Sequence, residues 1–596
     1  MIRVADYIMN SLHNAGVTHV FQVTGRGSLF LSDALAKHPG LHPISLHHEQ
    51  SCAFAAIGNA EKTGGLGAVL VSTGCASTNT LTGVLSAWQD GIPCVIISGQ
   101  NTLSETTHFT GLRLRTYGQQ EADIVQMVGS ITKYAHMLTR PGDIPKVMDL
   151  AINAATTGRK GPVWIDVPLD LQSALIDPSN YEKYSNPKES VVPEINEEEL
   201  VKLMGSLSSA KRPIALIGKG IRSAGAELNF LQFIERWNLP VAYSSSAPDV
   251  YGSSNDLSIG SVGAMGCSRA GNFAIANADL VLVLGSRLNS LTTGPDFCNF
   301  ARSAKVIVVD IDAVEHSKKS IRIDHFIHAD LKKFFERLNS FSVKPICSNW
   351  VEQCFHWKKI FRAVELEFQA SDSVDLYQLA DCLSGVLPNP STIVTDSGFA
   401  EVILPSNIRF DHGHHCVHPS SQGAMGFALP AAIGVQCAGT NPVVVVVGDG
   451  SVMMNLQELE SIRYLKLPIK IVVINNNAYG IIRKRQKDLF RTRTVGTDPG
   501  NGLSCPEFKK VAECFDLSYL RISSLNELEV GLKEMFATEG PVLCEIMGRE
   551  DQSYIEIGYA RSSIDRKIVR RPLEDQSPFI KRELFLREMI VPPINQ

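Results

Sequence analysis

The sequence predicts an α/β protein of three doubly wound domains, each with a parallel sheet flanked by helices. Three observations predict it: β-branched runs recur between helical lengths, the runs are apolar on both faces, and polar stretches divide them into three sets. The first set is GAVLVST (67–73), PCVIISG (93–99) and PVWIDVP (162–168), and the second is PIALIG (213–218), VLVLG (281–285) and KVIVVDID (305–312). The third is STIVTDSG (391–398), VVVVVGDG (443–450), IKIVVINN (469–476) and PVLCEI (541–546). Strands apolar on both faces need cover on both faces, which parallel sheets in α/β proteins receive from helices. The polar stretches near 181–199 and around 340–375 read as linkers. The predicted division is therefore 1–180, 190–345 and 375–555, with 556–596 as a carboxy-terminal arm or lid packed on the body.

Composition narrows the function. A chain of 596 residues with 44% hydrophobic and 20% charged residues suits several cores, not one. A formal charge of -5 and a pI near 6.4 give no global attraction to nucleic acid or to an anionic membrane, so small-molecule substrates are expected. The amino terminus, MIRVADYIMNSLHNAG, carries Asp6 and polar residues at helical spacing and reads as a first helix, not a signal peptide. No apolar run approaches the roughly 20 residues that span a bilayer, and a cytosolic protein is expected. The 13 cysteines are scattered, several inside strand runs such as Cys94 and Cys544, and read as reduced buried groups.

The chemistry concentrates in the third set. A five-valine strand runs into Gly448-Asp449-Gly450-Ser451, and the next strand ends in Asn475-Asn476. Both ends would meet at the carboxyl edge of one sheet, where open α/β folds bind ligands. Glycines let the backbone approach a phosphate, the Asp449 carboxylate suits a hard cation such as Mg²⁺, and Asn476 offers a neutral oxygen. G-D-G alone is common and fits two unrelated turns. The whole pattern of strand, GDGS, helix, strand and NN is far more specific.

That pattern resembles the signature of the thiamine-diphosphate superfamily. The resemblance implies Asp449, Asn476 and the Ala478 carbonyl as metal ligands, with Gly448, Gly450 and Ser451 at the diphosphate. It also implies a pyruvate-oxidase or decarboxylase-like fold and a glutamate in the first domain that drives the aminopyrimidine toward its imino form. LHHEQSCAFAA supplies Glu49; alone, it would pass for a favourable charge at a helix start. Met425 in SSQGAMGFALPAAIG stands where the family wedges the bent cofactor, with Gln422, Gly423 and Gly25 as further contacts; without the match it would read as a core methionine.

Over nearly the whole chain the sequence is similar to the catalytic subunit of acetohydroxyacid synthase, through HEQSCAFAA, GQQEADIV, ITKYAH, GPVWIDVP, LGSRLNSLTTG, VVDIDAVEHSKKS and QGAMGFALPAAIG. The resemblance implies Gln120 and Lys133 beside the cofactor or a flavin. It implies FAD in the middle domain at Gly218, Gly220, Gly285, Arg287, Asp310 and Asp330, though these motifs also suit ordinary turns. It further implies a homodimer, or a pair of dimers, in which Glu49 serves a diphosphate held by the neighbour.

Departures from that family direct the substrate reading. Arg485 replaces the tryptophan that selects a second ketoacid, and Thr24-Gly25-Arg26-Gly27 replaces a loop like PGGA. Arg566, Lys567, Arg570 and Arg571 precede PLEDQSPF, an ending similar to enzymes of surface-sugar (O-antigen) pathways. The expected reaction is thus decarboxylation of pyruvate and transfer of the two-carbon unit to a nucleotide-linked ketosugar, with Arg26, Lys133 and Arg485 near the acceptor. The alternative is acetolactate synthesis from two ketoacids, and a third reading is a subunit that binds cofactor without turnover. His412, His414, His415 and His418 lie at spacings unsuited to zinc and are expected in a loop at the active-site mouth.

Overall fold

The computed structural model describes residues 1–181, 195–341, 345, 348–361, 364–369, 372–561 and 567–594, so most of the first predicted linker and Arg566 lie outside the described residues. The three-domain α/β expectation is borne out by three six-stranded parallel sheets. The first contains β1 (His19–Gln22), β2 (His42–Ser45), β3 (Gly67–Val71), β4 (Cys94–Gln100), β5 (Tyr134–Met137) and β6 (Val163–Pro168), in the order β2-β1-β3-β4-β6-β5.

The second contains β7 (Pro213–Ile217), β8 (Val241–Ser244), β9 (Ser258–Val262), β10 (Leu280–Leu284), β11 (Lys305–Asp310) and β12 (His325–His328). Its order, β9-β8-β7-β10-β11-β12, is that of a dinucleotide-binding sheet. The third contains β13 (Ser391–Thr395), β14 (His414–Val417), β15 (Val443–Gly448), β16 (Lys470–Asn475), β17 (Ser518–Ile522) and β18 (Val542–Met547), in the order β14-β13-β15-β16-β18-β17. The first and third sheets thus share one topology, and each sheet reverses its winding beside its first strand. Those reversals open crevices between β1 and β3, β7 and β10, and β13 and β15.

Four helices position the site: α1 (Glu49–Thr63), α2 (Phe399–Asn407), α3 (Ala428–Cys437) and α4 (Gly480–Phe490). Helices α1 and α3 pack backbone to backbone. A Cβ on Gly58 would sit 2.1 Å from the Ala431 carbonyl oxygen, and one on Gly434 would sit 1.8 Å from that of Ala55. Both helices are buried nearly all round, which explains why neither shows an amphipathic period. Phe54 meets Phe427 edge-on at 5.2 Å, and a single apolar cluster spans the first and third sheets.

The His412–His418 segment departs from expectation. Within it, His414–Val417 form β14, hydrogen-bonded in register with β13, where a loop was expected. The strand's backbone completes a sheet edge, and His414, Cys416, Val417 and the following His418 are buried. Burial pushes His415 down to about 3 and lowers His418, so both are neutral bases inside the protein. No group of three or more His, Cys, Asp or Glu side chains is placed to hold a metal among the described residues, and the cysteines described there are free.

The arm from residue 556 docks on the middle unit. Arg302 pairs with Glu574 at 2.7 Å, Asn272 donates to Gln576 at 3.0 Å, and Phe585 packs against Phe273. No described helix is long and apolar enough to cross a membrane.

Candidate active site

Two strand ends build the site at the β13/β15 crevice. After β13, Asp396 is fully buried; its Oδ1 accepts the backbone N–H groups of Ser397 (2.9 Å) and Gly426 (3.0 Å), and its Oδ2 that of Ala428 (2.7 Å). It thereby ties the Gln422–Met425 loop to the sheet and satisfies the first N–H of α3. Burial raises its pKa to about 6 against those three donors.

After β15, Asp449 is also buried. Its Oδ1 accepts the Gly450 N–H at 2.8 Å, while its Oδ2 has no hydrogen-bond partner. Burial again raises the acid, to about 6, against backbone N–H groups from Gly450 and the 476–478 turn. A buried carboxylate oxygen without a partner is costly, and a hard cation at that point would satisfy it. The residues present therefore fit a Mg²⁺-bound diphosphate. Gly450 is required for a steric reason, since a Cβ there would lie 1.9 Å from the Tyr479 ring.

A cavity of about 290 Å³ lies against these groups, and Asp449, Asn476, Ala478, Met425 and Gly448–Ser451 all line it. So do Phe399 and Glu401 of α2 and Ile481 and Ile482 of α4. No residue of the first unit is among those lining it.

Glu49 lies instead at the start of α1, half-buried, with its Oε2 accepting from Asn79 Nδ2 at 2.9 Å. Near the β1/β3 crevice, a Cβ on Gly25 would meet Ser72 Oγ at 2.5 Å, and one on Gly74 would meet the Gln120 carbonyl at 1.7 Å. Gln120 itself is exposed in the left-handed region, at φ 57°. A buried network holds its loop: Asp166 accepts from Ser98 (2.6 Å) and Gln100 (3.1 Å), Gln100 donates to the Ala122 carbonyl, and Asn101 donates to that of Gln119. Burial pushes Asp166 up to about 7.

The substrate candidates are dispersed. The Arg26 guanidinium donates to the Gln119 side chain, Lys133 donates to the Thr157 carbonyl at 2.7 Å, and Arg485 pairs with Glu556 at 2.6 Å. Of the tail arginines, Arg570 pairs with Asp296 at 3.0 Å, and Arg571 lies 3.8 Å from Asp575.

A second cavity, of about 300 Å³, fills the β7/β10 crevice and is lined by Gly220, Gly285, Arg287, Asp310 and Asp330. Gly218 lies behind it, where a Cβ would clash at 2.3 Å with the Gly285 carbonyl. Arg287 donates to Ser421 Oγ at 2.5 Å, linking this crevice to the loop that carries Met425.

Comparison with known proteins decides the family. Residues 2–127, 200–338 and 396–546 match, in turn, the N-terminal TPP binding domain, the central domain and the C-terminal TPP binding domain of thiamine pyrophosphate enzymes. The acetolactate synthase large subunit of Haemophilus influenzae is 30% identical over 583 residues, covering 96% of this chain and 99% of that protein. The chain belongs to the thiamine pyrophosphate enzymes, in the acetolactate synthase family.

Acetolactate synthase 1, chloroplastic, of Zea mays is 31% identical over 563 residues (91% of this chain, 85% of that protein). The large subunit of acetolactate synthase isozyme 3 of Escherichia coli is 29% identical over 549 residues (90% and 92%). The sequence singles out neither Asp396, which holds the adjacent loop, nor Glu401 and Tyr479, which line the cavity. Asp396 had a visible signal, because strand-Asp-Ser-Gly at 391–398 parallels strand-Gly-Asp-Gly at 443–450.

Proposed function

We propose that the protein decarboxylates pyruvate and joins the two-carbon fragment to a second 2-ketoacid, as acetolactate synthases are named for doing. The single observation that carries the cofactor chemistry is the unpartnered Asp449 oxygen inside a cavity at the third sheet's switch point, and the names of the relatives favour the 2-ketoacid acceptor. Asp449, Asn476 and the Ala478 carbonyl would hold Mg²⁺, and Gly448, Gly450 and Ser451 would leave room for the diphosphate. Bound thiamine diphosphate supplies the electron sink for decarboxylation.

The chain's own residues do the rest. Met425 would pack against the bound cofactor, with Gln422 and Gly423 in the same loop. Phe399, Ile481 and Ile482 keep water from the reacting carbon. Glu49, with Gln120 and Gly25, comes from the first unit of a second copy, since the cavity of one chain has no wall from its own first unit. Glu49 holds the proton that activates the cofactor. The middle cavity takes FAD, with Asp330 and Asp310 at strand ends and Arg287 reaching the catalytic loop.

Transfer to a nucleotide-linked ketosugar is the second reading. Arg485 favours it, one turn along α4 from the cavity-lining Ile481 and Ile482. The carboxylate partners of Arg485 and Arg570 weaken it, because a diphosphate acceptor would have to displace them.

The test is product analysis from purified protein with thiamine diphosphate, Mg²⁺ and pyruvate, with and without a panel of ketosugar nucleotides. Acetolactate from pyruvate alone supports the first reading. A branched product formed only with a sugar nucleotide supports the second, and no CO₂ release with any 2-ketoacid sinks both. A flavin absorption band in the same preparation tests the middle cavity.

A further inference from the structure

Two carboxyl groups line the thiamine cavity, and the metal accounts for one of them, Asp449. The other is Glu401, on the first turn of α2. It has no hydrogen bond or ion pair among the described residues, so nothing in the fold neutralises it. Its Oε2 lies 3.1 Å from where a Cβ on Gly423 would be, and Gly423 stands two residues before Met425. Glu401 therefore stands in this cavity beside the loop that carries Met425.

We propose that Glu401 is a further catalytic residue: its carboxyl group gives a proton to the carbonyl oxygen of the acceptor as the new carbon–carbon bond forms. This rests on the carboligase reading above. The electron pair of the two-carbon fragment makes the new bond, the π pair of the acceptor carbonyl moves to oxygen, and that oxygen takes the Glu401 proton. The carboxylate recovers a proton from the hydroxyl of the donor fragment as that group becomes the ketone of the released product and the bond joining the fragment to the cofactor breaks, its electron pair returning to the cofactor, so the residue ends as it began.

The surroundings keep Glu401 able to do this. Burial, then the carboxylates of Asp90 and Asp396, raise its pKa to about 8, so the acid form prevails at neutral pH. Asp90 is held by the Ser420 hydroxyl at 2.8 Å and Asp396 by three backbone N–H groups, which fixes both carboxylates in place near Glu401. Gly423 is needed on this account as well, since a side chain there would press on the carboxyl group.

The experiment compares native holoenzyme with Glu401→Gln and Glu401→Asp, each loaded with thiamine diphosphate and Mg²⁺. Single-turnover CO₂ release from pyruvate is read separately from steady-state formation of the carboligation product, both across pH 6 to 9.5. Glu401→Gln should keep CO₂ release within about threefold while carboligation falls on the order of 10²-fold. The native decline in carboligation centred near pH 8 should vanish in that variant, and Glu401→Asp should restore part of the rate.

Carboligation by Glu401→Gln within threefold of native, with the same pH profile, overturns the assignment. So does a folded variant that loses both half-reactions equally. Absence of CO₂ release from the native protein is a different failure, that of the carboligase reading itself.

Discussion

Gly434→Ala tests whether the backbone contact between α1 and α3 sets the position of the catalytic glutamate. The new methyl group would lie 1.8 Å from the Ala55 carbonyl oxygen, and ordinary contact begins near 3.4 Å, so the helices must part by about 1.6 Å. Overpacking of this kind costs ~1–3 kcal/mol, and the better helix propensity of alanine returns ~1 kcal/mol. The hydrogen bond from Asn59 to the Gly434 carbonyl at 3.2 Å is stretched too. Because Glu49 begins α1, it moves with the helix, and a displacement of ~1 Å at a reacting group can cost ~10²-fold in rate. The assay is CO₂ release from pyruvate at saturating cofactor, with thermal unfolding alongside. Gly385→Ala is the control, since nothing lies within 4 Å of a Cβ there. Native turnover and an unchanged unfolding temperature in Gly434→Ala would refute the reasoning, as would an equal loss in the control.

Other perturbations separate the parts of the site. Glu49→Gln should bind thiamine diphosphate and Mg²⁺ normally yet lose ~10²–10⁴-fold in turnover, measured by isothermal titration and CO₂ release. Asp449→Asn should abolish the rise in unfolding temperature that cofactor and Mg²⁺ give the native protein, because the unpartnered oxygen they satisfy becomes an amide. Asp166 is raised from its ordinary 3.8 to about 7, so the folded state binds its proton more tightly and native stability falls as pH rises between those values. The stability advantage of the native protein over Asp166→Asn should therefore shrink by up to ~4 kcal/mol from pH 4 to pH 7 and stay level above, as read by denaturant melts.

Much of the architecture was legible because its central strands are uninterrupted β-branched runs. VVVVVG can only be a strand buried on both faces, and so can VLVLG. Three strands of the first sheet were not, since His19–Gln22, His42–Ser45 and Tyr134–Met137 are short and carry histidines and polar residues. His414–Val417 misled for the same reason: its pairing with β13 and its burial decide its state, and neither is encoded locally.

At the site, Asp449 and Asn476 could be read because each closes a strand and the spacing between them is fixed by one crossover. Arg485 could not. Its partner Glu556 lies 71 positions further on, in an arm whose path depends on contacts with the middle unit. Glu401 escaped notice because a glutamate on the first turn of a helix is ordinary in sequence. Only its lack of a cationic partner among the described residues, visible in three dimensions, sets it apart.

The cavity walled by one unit alone has a consequence for measurement. If the missing wall comes from another copy, a solitary polypeptide has no working centre, and specific activity must decline on dilution below the dissociation constant of the pair. Mixing the Glu49→Gln and Asp449→Asn proteins, each inert alone, would then regain up to a quarter of the native centres by exchange of subunits, since half of the pairs are mixed and each mixed pair holds one undamaged site.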